Sequence, residues 1–160
     1  MNITASHRLI KNGAIVMILS LLAGVGLTYS LIGGVSVPPT TLFWEMEIPG
    51  TTKGWQMAHT GNMMNGLMAI GIGVALRFLR FDGNQANWVS WGTVIAIYGN
   101  ACFYFFGLMA PNHGLSIGDN RLGEGTLSGM LAYFPAVLGM LTLFVALFVL
   151  VFKGKRADSL

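Results

Sequence analysis

Charged residues are scarce in this chain. Lys, Arg, Asp and Glu make up 9% of its 160 residues, whereas a soluble domain carries about 25%, so there are too few charges to coat a globular surface in water. Hydrophobic residues reach 54%, and lipid is the solvent that such a surface requires. Cysteine is nearly absent: Cys102 stands alone, which excludes an intrachain disulfide and any cysteine-built zinc site. No internal repeat and no long linker divide the chain, so residues 1–160 are expected to form one domain. The net charge of +3 does not point to nucleic acid, because the basic residues flank apolar runs instead of forming a patch.

Four uncharged apolar runs stand out, residues 13–35, 56–76, 88–110 and 129–152. Each approaches or exceeds the roughly 20 residues that a helix needs to cross a bilayer. The expected fold class is therefore all-α, an integral membrane four-helix bundle. The first run follows a short polar start with His7, Arg8 and Lys11 and stops at Gly33, Gly34, Pro38 and Pro39. It is longer than the apolar core of a secretory signal and lacks a small-residue cleavage site, so it reads as a retained helix. Residues 36–55, with Pro38, Pro39, Pro49, Glu45, Glu47 and Lys53, read as a structured external loop. Pro111 stops the third run, and Pro135 falls within the first two turns of the fourth, where it is best tolerated. Trp44, Trp55, Trp88 and Trp91 sit near the run ends, where indole rings favour the membrane interface.

The basic residues divide by side. Arg8, Lys11, Arg77, Arg80, Lys153, Lys155 and Arg156 gather on one face, and only Lys53 and Arg121 on the other. Seven against two places both termini in the cytoplasm.

None of the four runs contains Asp, Glu, Lys or Arg, which argues against a proton-coupled transporter or pump, since these place carboxylates at membrane depth. The embedded polar groups are His59, Asn62, Asn65, Tyr98, Asn100 and Tyr104, concentrated on the second and third runs. Helical rise puts His59, Asn65, Asn100 and Tyr104 in the outer half of the membrane. Asn100 and Tyr104 are four apart and share a face. His59 and Asn65 are six apart and diverge by about 120°, so they line one site only if it sits between helices. Asn and Tyr in a span also serve as interhelical glue, and His59 near a helix start reads either as an interfacial residue or as a ligand for haem iron. His7 and His113 lie outside the runs. Small faces at Gly61, Gly66, Gly71 and Gly73, and at Gly92, Ala96 and Gly99, permit close helix packing and would also admit a flat macrocycle. The ten methionines read as adaptable packing residues.

Gly54, Trp55, Ala58, His59, Thr60, Gly61, Asn65 and Gly66 resemble the segment around the haem-ligating histidine of the styrene oxide isomerase family. A second block agrees in order and spacing: Asn100, Phe103, Tyr104, Phe106, Pro111, Asn112, Gly114, Leu115, Gly118, Asn120, Arg121 and Gly123. The similarity covers most of the chain and is weakest at the termini and in the fourth run. It implies a homotrimeric enzyme of the bacterial inner membrane, with haem b between protomers, that converts an aryl epoxide such as styrene oxide to an aldehyde by the Meinwald rearrangement. His59 would be the axial iron ligand, with Asn65, Tyr104 and Asn100 holding the substrate. Gln56, Met57, Asn62, Met63, Met64 and His113 depart from the family pattern, which bears on the substrate more than on the reaction.

The chemistry suits these residues. A single histidine ligand leaves one face of a ferric haem open as a Lewis acid for the epoxide oxygen, so ring opening needs no protein acid. A dry pocket then lets a 1,2-hydride shift win over capture by water, while Tyr104 and Asn65 orient the epoxide and stabilise charge on its oxygen. A hydrolase would need a nucleophile and a base that the runs do not supply. One alternative is a b-type haem electron-transfer protein, which usually wants two axial ligands, whereas a single histidine lies in a run and only methionine is left as a second. A non-enzymatic membrane assembly or carrier is a third class, and it would bind no chromophore. The charge bias gives the first expected outcome: a cytoplasm-dependent reporter fused to either terminus is active and a periplasm-dependent one silent. The reverse pattern would invert the topology.

Overall fold

The amphipathic start of the chain is already helical. In the computed structural model, which describes residues 2–39, 41–81 and 83–156, helix α1 runs Ile3–Ile32, ten residues earlier than the apolar run. The extension holds because its polar side chains find partners. The Arg8 guanidinium lies 4.4 Å over the Trp91 ring and donates to Ser90 Oγ at 3.3 Å, while Leu9 on the other side of the turn is fully buried. Gly33, left-handed at φ 71°, ends the helix by donating its N–H to the Tyr29 carbonyl. The connection expected as an external loop contains a small antiparallel pair, β1 (Gly34–Ser36) and β2 (Phe43–Glu45).

Helix α2 (Thr52–Phe78) starts where Thr51 Oγ1 accepts the Gly54 N–H at 3.0 Å. It leads through β3 (Leu79–Arg80) into α3 (Gly83–Gly107). Helix α4 (Leu127–Lys153) is capped in the same way, by Thr126 accepting from the Gly129 N–H at 3.2 Å. Pro135 is its ninth residue, in the third turn, so the helix begins earlier than the apolar run and absorbs a proline deeper than expected. A short strand β4 (Lys155–Arg156) then pairs antiparallel with β3. Because Asn2 Nδ2 also donates to the Leu79 carbonyl at 3.4 Å, the start of α1 and the ends of α2 and α4 meet at one end, here the basic end. The β1–β2 pair marks the opposite, hairpin end. Trp88 and Trp91 lie toward the first end and Trp44 and Trp55 toward the second.

Three helices, α1, α3 and α4, are long and apolar enough to cross a membrane. Helix α2 has the length but not the hydropathy, a departure from the four equal runs of the sequence. Its apolar character is diluted by His59, Asn62, Asn65 and a series of glycines, and these side chains turn toward protein. Helix α2 packs extensively on α1 and also on α3, whose largest contact is with α4. Leu9, Leu76 and Val89 fill the core near the basic end, and Val16, Ala69 and Ile97 continue it. Tyr98 donates from α3 to Asn12 Oδ1 of α1 at 2.9 Å, the interhelical glue expected of an embedded tyrosine. Helix α4 leaves Phe134, Leu138, Phe144 and Phe148 exposed.

Two close backbone approaches set these spacings. A Cβ on Gly13 would stand 2.7 Å from the Gly66 carbonyl oxygen, and one on Gly66 the same distance from that of Gly13. A Cβ on Gly99 would strike the carbonyl of Pro135. Gly66→Ala and Gly99→Ala are therefore expected to lose about 1–3 kcal/mol of stability each, since backbone cannot move aside as a side chain can. Gly71 has nothing within 4 Å of its Cβ direction, so Gly71→Ala should be neutral or gain up to about 1 kcal/mol from helix propensity. Equilibrium unfolding in mixed micelles measures all three, and equal effects at the three positions would remove the close-approach explanation.

Candidate functional site

Helix α2 carries the candidate site residues on two faces. On the face toward α1, the His59 ring lies beside Gly24, where a Cβ would come within 2.9 Å of Nδ1. His59 Nδ1 is 2.9 Å from the Ser20 carbonyl oxygen, an atom that only accepts, so Nδ1 carries the proton. The Ser20 hydroxyl donates in turn to the His59 carbonyl. In a neutral imidazole this tautomer leaves the lone pair on Nε2, and Nε2 has no hydrogen-bond partner among the described residues. Ser20 and Gly24 were missed in the sequence. Their signal was weak: a serine and a glycine four apart in an apolar run, which share a helix face but resemble ordinary packing residues.

On the face toward α3, Asn100 Nδ2 donates to Asn65 Oδ1 at 3.3 Å. Asn65 is buried, and its Nδ2 has no acceptor among the described residues. Tyr104 stands one turn along α3 from Asn100, and its ring crosses Gly61, one turn along α2 from Asn65. A Cβ at Gly61 would collide with that ring, so the glycine is what lets the tyrosine lie across the seam. The ring meets Phe103 edge-on, with centroids 5.7 Å apart, and the hydroxyl has no hydrogen-bond partner among the described residues. The structure thus brings Asn65, Asn100 and Tyr104 together and turns His59 toward a different neighbour, as their spacing on the helix requires.

The other embedded polar groups make their bonds elsewhere, although Asn62 Oδ1 is buried without a partner among the described residues. Asn62 donates to the carbonyl of Ala58 in its own helix at 2.9 Å, and Tyr98 is taken by Asn12. His7 is exposed in α1 near the basic end, and His113 is exposed in the loop after α3. That loop is built around Asn112, which is fully buried. Its Nδ2 donates to the carbonyls of Ser116 and Gly118 at 3.0 and 3.1 Å, and its Oδ1 accepts from the Gly114 N–H at 3.0 Å. Asn120 Nδ2 closes the circle on the Asn112 carbonyl at 3.1 Å.

No group of three or more His, Cys, Asp or Glu side chains among the described residues is placed to hold a metal ion. A bare cation would therefore lack ligands. A haem brings four nitrogens of its own and needs only an imidazole whose far nitrogen is fixed by an acceptor, and His59 with the Ser20 carbonyl has that form. The donor set fits the cofactor.

The family model described as styrene oxide isomerase matches residues 5–154. The chain is also 32% identical over 134 residues to the styrene-oxide isomerase of Pseudomonas fluorescens, an alignment covering 82% of this chain and 78% of that protein. The matched span takes in both faces of α2, the Asn100–Tyr104 turn of α3 and the Asn112 loop. This chain belongs to the styrene oxide isomerase family.

Proposed function

We propose that the protein isomerises a small aryl epoxide, styrene oxide or a close analogue, to the corresponding aldehyde by a Meinwald rearrangement. The observation that carries this reading is the orphaned amide of Asn65. Asn100 fixes which way that amide points by donating to Oδ1, so the buried Nδ2 is left as a donor with nothing to donate to. Burying an unpaired donor costs about 1–3 kcal/mol, a cost that a substrate oxygen would relieve. The Tyr104 hydroxyl, one turn away on a half-buried side chain, is a second donor without a partner among the described residues. Two neutral donors facing one oxygen suit a reaction in which negative charge grows on that oxygen and no net proton is moved.

In the rearrangement the benzylic carbon–oxygen bond breaks with its electrons passing to oxygen. A hydrogen with its electron pair then moves from the terminal to the benzylic carbon, and the carbon–oxygen double bond forms at the terminal carbon. Asn65 and Tyr104 hold the oxygen through these changes, and Asn100 orients Asn65. The apolar helices around them exclude water, which would otherwise capture the benzylic cation as a diol. His59 would hold ferric haem b through Nε2, and when bound the haem would supply Lewis acidity toward the epoxide oxygen. The family resemblance implies a homotrimer with haem between protomers, in which the His59 face of one protomer would meet the Asn65 face of its neighbour. Four spans in a bacterial inner membrane, with the basic end cytoplasmic, complete the reading. Its support is the clustering of Arg8, Arg77, Arg80, Lys153 and Lys155 at that end.

Purified protein given styrene oxide should yield phenylacetaldehyde, and its absence would end the proposal. His59→Ala should lose the haem absorption band or most of it, whereas full occupancy with an unchanged spectrum would remove His59 as the ligand. Tyr104→Phe should keep fold and spectrum but turn over more slowly, on the order of 100-fold if the hydroxyl acts as an oxyanion donor. Wild-type rates would return Tyr104 to packing. Substrate deuterated at the terminal carbon should deliver aldehyde that retains the migrated label at the earliest times, and extensive washout would favour a route through an enol.

A further inference from the structure

The hairpin end of the α2–α3 seam holds a cavity of about 330 Å³. Gly54 and Met57 of α2, Phe103 and Tyr104 of α3, and Leu115 and Leu122 of the following loop form its walls. Lys53 and His113 at its edge are exposed, so their polar ends reach solvent while the wall itself stays apolar. Pockets of roughly 300–1,000 Å³ hold one small ligand, and this one is at the lower limit. A compact uncharged molecule fits its size and chemistry, and a strongly hydrated one does not.

The cavity and the asparagine pair share a boundary. Tyr104 lines the cavity, and its ring lies across Gly61. Met57 is four residues before Gly61 on α2, and Asn65 is four after it. At 1.5 Å per residue each step is about 6 Å, so the cavity, the tyrosine and the Asn65 amide succeed one another along a single seam. His59, Asn65 and Asn100 are not part of the cavity wall.

The outer wall is held in place with some care. Leu115 and Leu122 are 56% and 48% exposed, so neither contributes much to the core. Yet the loop that bears them is fixed by the buried Asn112, by Asn120, whose Oδ1 accepts the Leu122 N–H at 2.8 Å, and by Asp119, which accepts the Gly125 N–H at 2.8 Å. Holding two half-exposed leucines rigidly over an apolar space costs hydration free energy unless an apolar molecule covers them.

From this continuity we infer that the cavity is the antechamber of the isomerase, a binding compartment for one aryl epoxide on the hairpin side of Tyr104. The aryl ring lies against Phe103, Met57 and the two loop leucines, and the oxirane passes the Tyr104 hydroxyl to reach Asn65. Leu115 and Leu122 then set the size of ring that is admitted. This inference rests on the epoxide isomerase reading and adds to it the compartment and the residues that select among substrates.

The test compares styrene oxide with its larger 2-naphthyl analogue in wild-type protein and in Leu115→Trp and Leu122→Trp. Filling the antechamber should raise KM for the naphthyl epoxide about ten-fold or more, the scale on which a hydrophobic pocket discriminates size, and should raise KM for styrene oxide less. The change in KM should exceed any fall in kcat. Leu122→Ala and Leu115→Ala should move the ratio of the two KM values the other way, which keeps the inference open to refutation if a tryptophan variant fails to fold. Variants that keep the wild-type ratio of KM values while wild-type protein isomerises both epoxides would overturn the antechamber alone. A wild-type protein that isomerises neither would overturn the isomerase reading and the antechamber with it.

Discussion

Helix α2 approaches both of its neighbours more closely than ordinary side chains allow, and the geometry of the site depends on that approach. Toward α1 the contact is backbone against backbone at Gly13 and Gly66. Toward α3 it is the bare edge of Gly61 under the Tyr104 ring. With α2 drawn in on both sides, its polar residues face protein: His59 meets a carbonyl of α1, and Asn65 meets the amide of Asn100. A helix with this many polar side chains would be a poor choice for lipid exposure, since unsatisfied polar groups there are costly. Small residues are what make it a good choice for an interior position. The same residues that lower its hydropathy therefore also explain its packing.

In the proposed reading the site works with neutral donors. Among the described residues near the Asn65–Asn100 pair, the hydrogen-bonding groups are amides and a phenol, and none needs a counter-ion. In a low-dielectric setting an unpaired charge would cost far more than an unpaired amide, so the proposed rearrangement, which would move a hydride within one molecule, would suit such surroundings. Fixing the direction of the Asn65 amide is the contribution of Asn100. Without that bond the amide could rotate and, in the proposed reading, would offer its oxygen to the substrate oxygen, a repulsive pairing in place of a donor. A weak hydrogen bond at 3.3 Å thus sets a sign as well as a position.

Hydropathy and the placement of charge made the four helices and their shared basic end legible in the sequence, and the spacing of Asn100 and Tyr104 correctly placed them on one face. The divergence of His59 from Asn65 was also readable, because it follows from helical periodicity alone. Helix boundaries were less legible where polar residues take part. Arg8 extends α1 by resting on Trp91, a contact between residues far apart in sequence that no local pattern announces. The Ser20 carbonyl that fixes the His59 tautomer is a backbone atom, so composition could not have revealed it. For Asn65 the sequence could mark a polar group in an apolar run, but not that one of its two polar atoms would be satisfied and the other left over.

The second block of family-like residues, Asn100 to Gly123, divides in space into two kinds of asparagine. Asn100 sits on a helix and spends its amide on another side chain, so in the proposed reading its effect is on the chemistry. Asn112 and Asn120 spend theirs on loop backbone, and Asn112 does so while fully buried, so their effect is on the shape of the loop. Replacing Asn100 should therefore alter the direction in which Asn65 points while leaving the loop intact. Replacing Asn112 would release three backbone contacts at once and let Leu115 and Leu122 drift from the seam. On the proposed reading both changes would reduce turnover, but for separable reasons: the first would act on the oxygen of a bound substrate, the second on which molecules arrive there. A single stretch of chain would thus hold the proposed chemistry and the inferred selection apart, joined by Tyr104, whose ring lies across Gly61 and also lines the cavity.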